Sequence, residues 1–340
     1  MRASPPDQYY QRGPTRCFRM LWRRKWIGLA LLTSSFALFF LAMRQHSSPE
    51  GLIIVRDTYM DDVSDELYQQ VIREWYNFTD DEKWYNGREL SSSDKEDWDL
   101  YLTDIRRNFI LAKHNPNESY HLDKPELRDP SMGQAEVIRG IFGDKRNGFF
   151  VECGAYDGET RSNTLYFERF LGWTGLLIEA DPINFSKMLQ KNRNAFLSPT
   201  GLSIQPQPVV ASFLMAKNIG RLHEPSNNTK ENERNSPDVA HVGKHVQVQC
   251  FPFAHFLAAL KIKTVDYFSL DIEGNEIEVL ATIPFDEVDI RTLSVEYVHN
   301  AKGRKFLIDM MEARGYYVHS FVEHPNNLAN DVIFVKRGMR

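Results

Sequence analysis

Short apolar segments recur through the second half of the chain, and polar residues and stretches with helical spacing of apolar positions lie between them. Apolar strands without polar alternation are typical of a parallel sheet that is covered on both faces. The pattern therefore predicts an α/β fold with a doubly wound, mostly parallel sheet. Strands are predicted at residues 149–151, 176–178, 246–250, 267–270, 293–295, 316–323 and 331–336, the last two as a hairpin.

Helical spacing predicts helices at 135–142, 185–189 and 303–314, and a further helix that contains Leu165, Phe167 and Phe170. One insertion, residues 222–242, is polar and rich in Asn. Its composition favours a mobile loop or a lid. We expect the α/β domain to span residues 131–338.

The segment from 44 to 130 is polar and acidic, and we predict that it forms a stem. Within it, SDELYQQVIREWYNF predicts an amphipathic helix with one apolar face. That face contains Leu67, Val71, Ile72 and Trp75. We expect the tryptophans of the stem to pack on the domain rather than to bind a ligand; they are Trp75, Trp84 and Trp98.

An uncharged apolar run of 18 residues, from Trp26 to Met43, precedes the stem. About 17–25 residues span a bilayer, so the run predicts a transmembrane signal anchor. A cleaved signal peptide and a buried helix are the alternatives, but the run is long for a signal peptide and no small-residue cleavage site follows it. The basic residues before the run predict a cytosolic tail at 1–25 and a lumenal domain; they are Arg12, Arg16, Arg19, Arg23, Arg24 and Lys25.

This topology predicts a single-pass protein of the endoplasmic reticulum and Golgi, with the plasma membrane and endosome as further locations. Four N-glycosylation sequons agree with a lumenal domain; they begin at Asn77, Asn117, Asn184 and Asn227. The net charge of −5 argues against a nucleic-acid partner, since a basic patch is expected for one.

Three cysteines do not make a disulfide framework. Cys153 and Cys250 are most simply interpreted as small buried hydrophobic residues. The alternative is a disulfide between them in an oxidising lumen, which needs Cα atoms within about 4.4–6.8 Å.

The segment 148–181, GFFVECGAYDGETRSNTLYFERFLGWTGLLIEAD, predicts a strand, a glycine loop, a helix and a second strand that ends in a carboxylate. Gly154 and Gly158 bracket the loop, and Glu179 at the end of the second strand suits the hydroxyls of a ribose. Asp157 within the loop would repel the pyrophosphate of a dinucleotide, whereas S-adenosylmethionine carries cationic groups. The pattern favours S-adenosylmethionine, and an ordinary α/β turn remains the alternative.

A second motif, YFSLDIEGNEIEVL at 267–280, ends a buried strand in carboxylates. With it the chain resembles the FkbM family of methyltransferase domains, whose signature is an apolar strand followed by D-x-E-G-x-E-x-x-V-L. The resemblance covers about residues 131–335, including LLIEADP and KNR at 191–193. It implies a seven-stranded methyltransferase sheet with a reversed last strand and S-adenosylmethionine as cofactor. The matching residues are Asp271, Glu273, Gly274, Glu276, Val279 and Leu280.

The resemblance and the spacing together suggest roles for individual residues. Glu179 is expected to bind the ribose, and Asp271, Glu273 and His299 are candidate catalytic residues at one strand edge. His299 is the candidate general base because an unperturbed histidine pKa lies near 6.5; a structural role is the alternative. Asp271 and Glu273 are also candidate ligands of a divalent metal, or Glu273 and Glu276 merely complement a helix N-terminus. The remaining cofactor-binding candidates are Glu152, Gly154, Ala155, Asp157 and Gly158.

Within the FkbM family, the motifs ECGAYDGE, SNTL, GW-x-GLLIE and SLDIEGNE are similar to animal proteins related to Star. The resemblance implies membrane-anchored trafficking of EGF-receptor ligands, with an EGF-like ligand precursor as cargo. The alternatives are an active O-methyltransferase acting on a hydroxyl of a glycan or small molecule, and a Golgi scaffold protein with a vestigial pocket. Tyr156 stands where the methyltransferase loop usually has its middle glycine.

Overall fold

The apolar segments of the sequence form the central sheet in a computed structural model, which describes residues 63–77, 95–112, 118–216, 219–223, 244–325 and 328–339. All of these residues belong to one unit, Asp57–Arg340. The predicted membrane span at 26–43 and the basic segment before it lie outside the described residues. Within the ranges above, none of the helices has the length and apolar character that crossing a membrane requires.

Eleven strands are found in the part of the chain that the structure describes. Numbered along the chain, they are β1 (Phe149–Cys153), β2 (Thr174–Ile178), β3 (Phe196–Ser198), β4 (Gly201–Leu202), β5 (Val209–Met215), β6 (Arg221–His223), β7 (Lys244–Phe251), β8 (Thr264–Leu270), β9 (Asp289–Glu296), β10 (Tyr316–Glu323) and β11 (Asn330–Lys336).

Seven strands form the main sheet in the order β10-β11-β9-β8-β1-β2-β3. The neighbours from β9 to β3 pair in parallel, whereas β11 pairs antiparallel with both β9 and β10. The predicted doubly wound, mostly parallel sheet with a reversed last strand is therefore confirmed. The order turns back at β1, with β2 on one side and β8 on the other, and open α/β sheets bind ligands at such a switch point.

Four strands form a second sheet that the sequence did not predict, in the order β4-β7-β5-β6. The strand-like VQVQC belongs to β7, as expected, and β7 pairs antiparallel with β5. Strands β6 and β7 flank the predicted mobile insertion, most of which lies outside the described residues.

Eight α-helices are found in the described residues; those at 65–71, 134–142, 165–171, 182–190 and 303–313 lie close to predicted positions, whereas the helix at 253–260 was not predicted. They are α1 (Asp65–Val71), α2 (Lys95–Asp104), α3 (Gln134–Phe142), α4 (Leu165–Leu171), α5 (Pro182–Gln190), α6 (Phe253–Leu260), α7 (Glu276–Thr282) and α8 (Gly303–Ala313). Helix α1 begins at the cap Ser64, whose hydroxyl accepts a hydrogen bond from the backbone of Leu67. Helix α5 begins at Asp181, whose carboxylate accepts from the backbone of Ile183 and Asn184.

The amphipathic helix at 65–71 ends in a π-helical turn, Ile72–Tyr76, that the sequence pattern did not predict. Leu67 and Val71 are buried as expected, but the wider turn directs Tyr76 inward and leaves Ile72 and Trp75 half-buried. A π-turn adds a residue to the helical repeat, so the predicted apolar face does not continue beyond Val71.

The described parts of the predicted stem pack on the α/β domain. Helix α1 contacts α5, and α2 contacts α6. Tyr101, Ile105 and Phe109 belong to the same hydrophobic core as the central strands. Trp75 packs edge-on against Phe185, with ring centroids 5.7 Å apart.

Trp98 packs on the domain as well, with its ring centroid 5.0 Å from that of His255 on α6. The expectation that the tryptophans pack on the domain is thus confirmed for Trp75 and Trp98, and Trp84 lies outside the described residues.

Candidate functional site

A pocket that is open to solvent lies at the carboxyl ends of β1, β2 and β8. These are the three strands at which the sheet order turns back. Its opposite wall is apolar and comes from the second sheet, through Leu202, Phe213 and Leu222. The pocket thus combines a polar strand edge with an apolar wall, as small-molecule sites commonly do.

Gly154 is the point at which the glycine loop leaves β1. Its φ is +79°, and a Cβ added there would lie 1.8 Å from the backbone oxygen of Asp271. The backbone N–H groups of Gly154 and Ala155 both donate to the carbonyl of Ile178, at 3.1 and 3.2 Å. The loop therefore crosses tightly between β2 and β8, and the close approach at Gly154 is to protein backbone.

Tyr156 adopts a left-handed backbone with φ +52°, the conformation that a glycine takes without strain. Its backbone N–H donates to Oε2 of Glu179 at 2.7 Å, and the residue lines the pocket. The absence of the usual middle glycine therefore leaves the turn in place, and the tyrosine adds a side chain at the pocket.

Glu179 follows β2 and lines the pocket, as the sequence predicted. Its carboxylate accepts from the backbone N–H groups of Tyr156 and, at 2.8 Å, Asp181. Burial, and then the charge of Asp181, raise the pKa of Glu179 to about 8. A carboxylate has about four acceptor positions, and the side chain of Asn184 takes a third, so one remains for a ligand hydroxyl.

Four other cofactor-binding candidates form the loop and do not line the pocket. The carboxylate of Glu152 accepts from Ser162, Asn163 and Thr164. Asp157 accepts from the backbone of Glu159 and Thr160, at 2.8 and 2.6 Å. Ala155 is buried, and Gly158 faces the side chain of Met188. Their contacts hold the loop in shape, and of the six candidates Gly154 and Glu179 face the pocket.

Arg193 holds the far side of the loop, a role that the sequence analysis missed. Its Nε lies 3.0 Å from Oε2 of Glu168, and both side chains have an exposed fraction of 0%. Its guanidinium also donates to the carbonyl of Gly158 and to the hydroxyl of Thr164. In the sequence, Arg193 is marked only by the KNR motif at 191–193, and that motif does not indicate a buried ion pair.

The three candidate catalytic residues lie together at the edge of β8 and β9. Asp271 and Glu273 line the pocket, and Nδ1 of His299 lies 2.8 Å from Oε2 of Glu273 and 3.1 Å from Oε1 of Glu296. Burial opposes protonation of His299, but hydrogen bonds and ion pairs with these two glutamates raise its pKa to about 11. His299 is therefore a cation at neutral pH in this arrangement, which replaces the expectation of a general base with an ordinary pKa.

Asp271 faces the open pocket, where it is exposed to solvent. Desolvation by the surrounding protein nevertheless raises its pKa well above the usual range, and Glu273 and Glu296 raise it further. Glu273 holds a strained left-handed backbone with φ +61°. This strain turns its carboxylate toward His299 instead of the start of α7.

Glu276 is buried at the first position of α7, and its Oε1 accepts from the backbone of Ile272 and Gly274. It therefore stabilises the turn before the helix, which is close to the structural role considered for it.

Asn184 is 2% exposed, and its side chain hydrogen-bonds Glu179. A glycan has no room there, so the sequon at Asn184 does not support a lumenal domain. Asn77 is exposed, whereas Asn117 and Asn227 lie outside the described residues.

Cys153 and Cys250 are both buried free thiols. Burial raises the pKa of each, to about 12 for Cys250. The interpretation as small buried hydrophobic residues is confirmed, and the alternative disulfide is not formed in the structure.

Residues 152–318 match the family model of the methyltransferase FkbM domain. The match confirms the resemblance to that family, and this part of the chain is a methyltransferase-like domain. No curated protein matches the chain.

Several solved structures resemble the chain at low identity. The N-terminal domain of human METTL16 in complex with SAH is 12% identical, with 82% of this chain and 96% of that chain covered and a TM-score of 0.32. A SAM-dependent methyltransferase from Aquifex aeolicus is 13% identical, with 62% and 94% covered and a TM-score of 0.29. A methyltransferase from Pyrococcus furiosus is 14% identical, with 72% and 98% covered and a TM-score of 0.30. Likeness at this level carries no weight for the fold, which rests on the strand order.

Proposed function

We propose that the domain binds S-adenosylmethionine in this pocket and transfers its methyl group to a hydroxyl of a glycan or small molecule. The observation that carries the proposal is Glu179, a pocket-lining carboxylate at the end of the strand beside the glycine loop. The FkbM match over residues 152–318 supports the same cofactor.

The residues at the pocket fit this cofactor in three respects. The remaining acceptor position of Glu179 suits a ribose hydroxyl. The wall formed by Leu202, Phe213 and Leu222 suits the flat adenine ring. The carboxyl groups of Asp271 and Glu273, when ionised, would attract the cationic groups of the cofactor and would repel a phosphate ligand.

The reaction requires an acceptor hydroxyl in line with the methyl–sulfur bond. S-adenosylmethionine would supply the methyl group, which would pass to the hydroxyl oxygen while sulfur keeps the bonding electrons, and the hydroxyl proton would leave to a pocket carboxylate or to water. The chain's contribution is positioning, because held reactants avoid the entropic cost of meeting in solution. Asp271 and Glu273 are the side chains at the pocket that can hold such a hydroxyl.

Replacement of Glu179 tests the cofactor site. We expect Glu179→Ala to weaken binding of S-adenosylmethionine to the full chain by about 10- to 100-fold, because hydrogen bonds to a charged group contribute about 1.5–3 kcal/mol. The measurement is calorimetric titration of the detergent-purified chain with S-adenosylmethionine and its demethylated product.

Glu312→Ala is the control, since Glu312 is exposed on α8. Equal affinity in Glu179→Ala, or no binding by a wild-type chain whose circular dichroism shows it to be folded, would contradict the proposal.

We also propose a secretory-pathway role like that of Star-related proteins, with an EGF-like ligand precursor as cargo and a membrane anchor at 26–43. Support comes from the motifs ECGAYDGE and SLDIEGNE, from the uncharged run Trp26–Met43 and from the basic residues before it. The methyltransferase-like domain then faces the lumen of the endoplasmic reticulum or Golgi.

Co-precipitation tests this role. We expect a membrane-bound EGF-like precursor to be recovered with the full chain but not with a chain that lacks residues 131–338. A secreted protein without an EGF-like module is the control cargo. Equal recovery of both cargoes would argue against the trafficking role, and so would recovery of the precursor with the shortened chain. If the precursor is still recovered with the Glu179→Ala variant, cargo binding does not depend on cofactor binding.

A further inference from the structure

Three carboxylates from different elements meet beside the pocket. They are Asp271 after β8, Glu276 at the start of α7 and Glu296 at the end of β9, and one oxygen of each lies within 4.8 Å of the other two. Two of them are buried, with exposed fractions of 0% for Glu276 and 5% for Glu296. Asp271 alone opens toward solvent.

Both buried glutamates keep one oxygen without a hydrogen bond. Oε1 of Glu276 accepts two backbone N–H groups, and Oε1 of Glu296 accepts from the backbone of Val298 at 3.0 Å. The other oxygen of each, Oε2, has no hydrogen-bond partner among the described residues. Buried carboxylate oxygens are normally satisfied, so two such atoms in one cluster indicate a missing ligand.

The basic residues nearby leave most of the cluster without a countercharge; the exception is Oε1 of Glu296, which lies 3.1 Å from Nδ1 of His299. His299 pairs with Glu273 and Glu296, and Arg221 interacts with Glu273. Over the ranges that the structure describes, no lysine, arginine or histidine lies within 4.0 Å of a carboxylate oxygen of Asp271 or Glu276. Buried charges require a partner or a metal.

We propose that Asp271, Glu276 and Glu296 bind one hard divalent cation of the Mg²⁺, Mn²⁺ or Ca²⁺ class. This set differs from the pair Asp271 and Glu273: His299 contacts Oε2 of Glu273, whereas in Glu296 it contacts Oε1 and leaves Oε2 without a hydrogen bond. Backbone hydrogen bonds to Oε1 of both buried glutamates hold the ligands in position, as supporting contacts do in metal sites.

The spacing of the oxygens suits an ion of this class. Ligands lie at about 2.0–2.1 Å from Mg²⁺ and about 2.3–2.6 Å from Ca²⁺, so two oxygens on opposite sides of one ion are about 4–5 Å apart. Three oxygens within 4.8 Å of one another can therefore share it. The all-oxygen ligand set favours hard cations over zinc or copper.

The open coordination positions face the pocket through Asp271, which lines it. Binding of the ion does not require methyl transfer. If the proposed methyl transfer holds, an acceptor hydroxyl bound to the ion would lie at the same strand edge as the cofactor, and the ion would lower the pKa of that hydroxyl.

Direct metal titration tests the site. We expect the chelator-treated full chain to bind one Mn²⁺, read from loss of the free-ion signal in electron paramagnetic resonance, and to melt at higher temperature with Mn²⁺, Mg²⁺ or Ca²⁺. Glu276→Gln and Glu296→Gln should each weaken Mn²⁺ binding at least about tenfold, since loss of even a supporting contact typically costs 10- to 100-fold.

Glu278→Gln is the matched control on the same helix, because Glu278 pairs with Lys302 outside the cluster. If the buried variants do not fold, Asp271→Asn at the open side provides the same test. No Mn²⁺ binding by the folded wild type would overturn the site and indicate a proton shared by Glu276 and Glu296. Binding that survives all three substitutions would overturn it as well.

Crossed measurements keep this inference separate from the proposed function. Glu179→Ala should lose S-adenosylmethionine and keep Mn²⁺, whereas Glu276→Gln should lose Mn²⁺. A wild-type chain that binds Mn²⁺ without S-adenosylmethionine would contradict the proposed function and leave the cation site standing.

Discussion

Gly154→Ala is expected to lower the free energy of unfolding by about 2–5 kcal/mol and to abolish binding of S-adenosylmethionine. A left-handed backbone costs an L-residue about 1–2 kcal/mol, and an overpacked site adds about 1–3 kcal/mol. At Gly154 both apply, because φ is +79° and the new Cβ would lie 1.8 Å from the backbone oxygen of Asp271. Relief requires the ends of β1 and β8 to separate, and these strands form the floor of the pocket.

Gly315→Ala is a matched control for the backbone strain alone. Gly315 has φ +87°, but no atom lies within 4 Å of the position of its Cβ. We expect a loss of about 1–2 kcal/mol from the left-handed backbone and unchanged cofactor affinity. Urea unfolding of both variants and of the wild type measures the difference, and equal losses in the two variants would show that the approach to Asp271 is unimportant.

Most strands of the central sheet, though not their order, could be predicted because they are apolar runs with little polar alternation; the three-residue β3 was not predicted. The segments FFVEC and TVDYFSL are buried along nearly their whole length in β1 and β8. The closing hairpin could likewise be read from two β-rich segments around a turn. The second sheet could not be predicted from the sequence. Its strands β4 and β6 have only two and three residues, and Val209–Met215 lacks the regular alternation of a half-buried strand.

At the site, motifs identified the right stretch of chain but not the direction of each side chain. Glu152 and Asp157 belong to the loop signature, yet both accept hydrogen bonds from the loop and the residues after it and do not face the pocket. Glu296 received no role, although it pairs with His299 and belongs to the carboxylate cluster. Glu296 contacts residues that follow β8 and β9. These residues are close in space but far apart in the chain, so no short sequence motif contains them.

The role of His299 shows a second limit. An ordinary histidine pKa suggested a base, whereas the pKa in the structure depends on two carboxylates, one of them 26 residues away in the chain. The charge of a buried group is set by its neighbours in space. A role assigned to a titratable residue by its type alone is therefore the part of a sequence analysis that the fold changes most readily.

Arg193→Met is expected to destabilise the domain by about 3–5 kcal/mol, because removal of one member of a buried ion pair leaves the other charge uncompensated. Glu168 would then stay buried, with the backbone N–H of Asn194 and the hydroxyl of Tyr120 as its neutral donors. The carbonyl of Gly158 would also lose its donor, so we expect roughly tenfold weaker cofactor binding from a loosened loop.

A comparison with an exposed pair and a double variant separates burial from charge. Arg304→Met breaks the pair with Glu323, whose side chains are 48% and 53% exposed, and should cost less than about 1 kcal/mol. Arg193→Met with Glu168→Met should recover part of the loss, since it removes both charges. If Arg193→Met costs no more than Arg304→Met in urea unfolding, the buried pair does not hold the loop. A large loss that the double variant relieves would instead show that the buried ion pair supports the loop. Gly154 and Glu179 would then owe their positions at the pocket partly to two residues that do not line it.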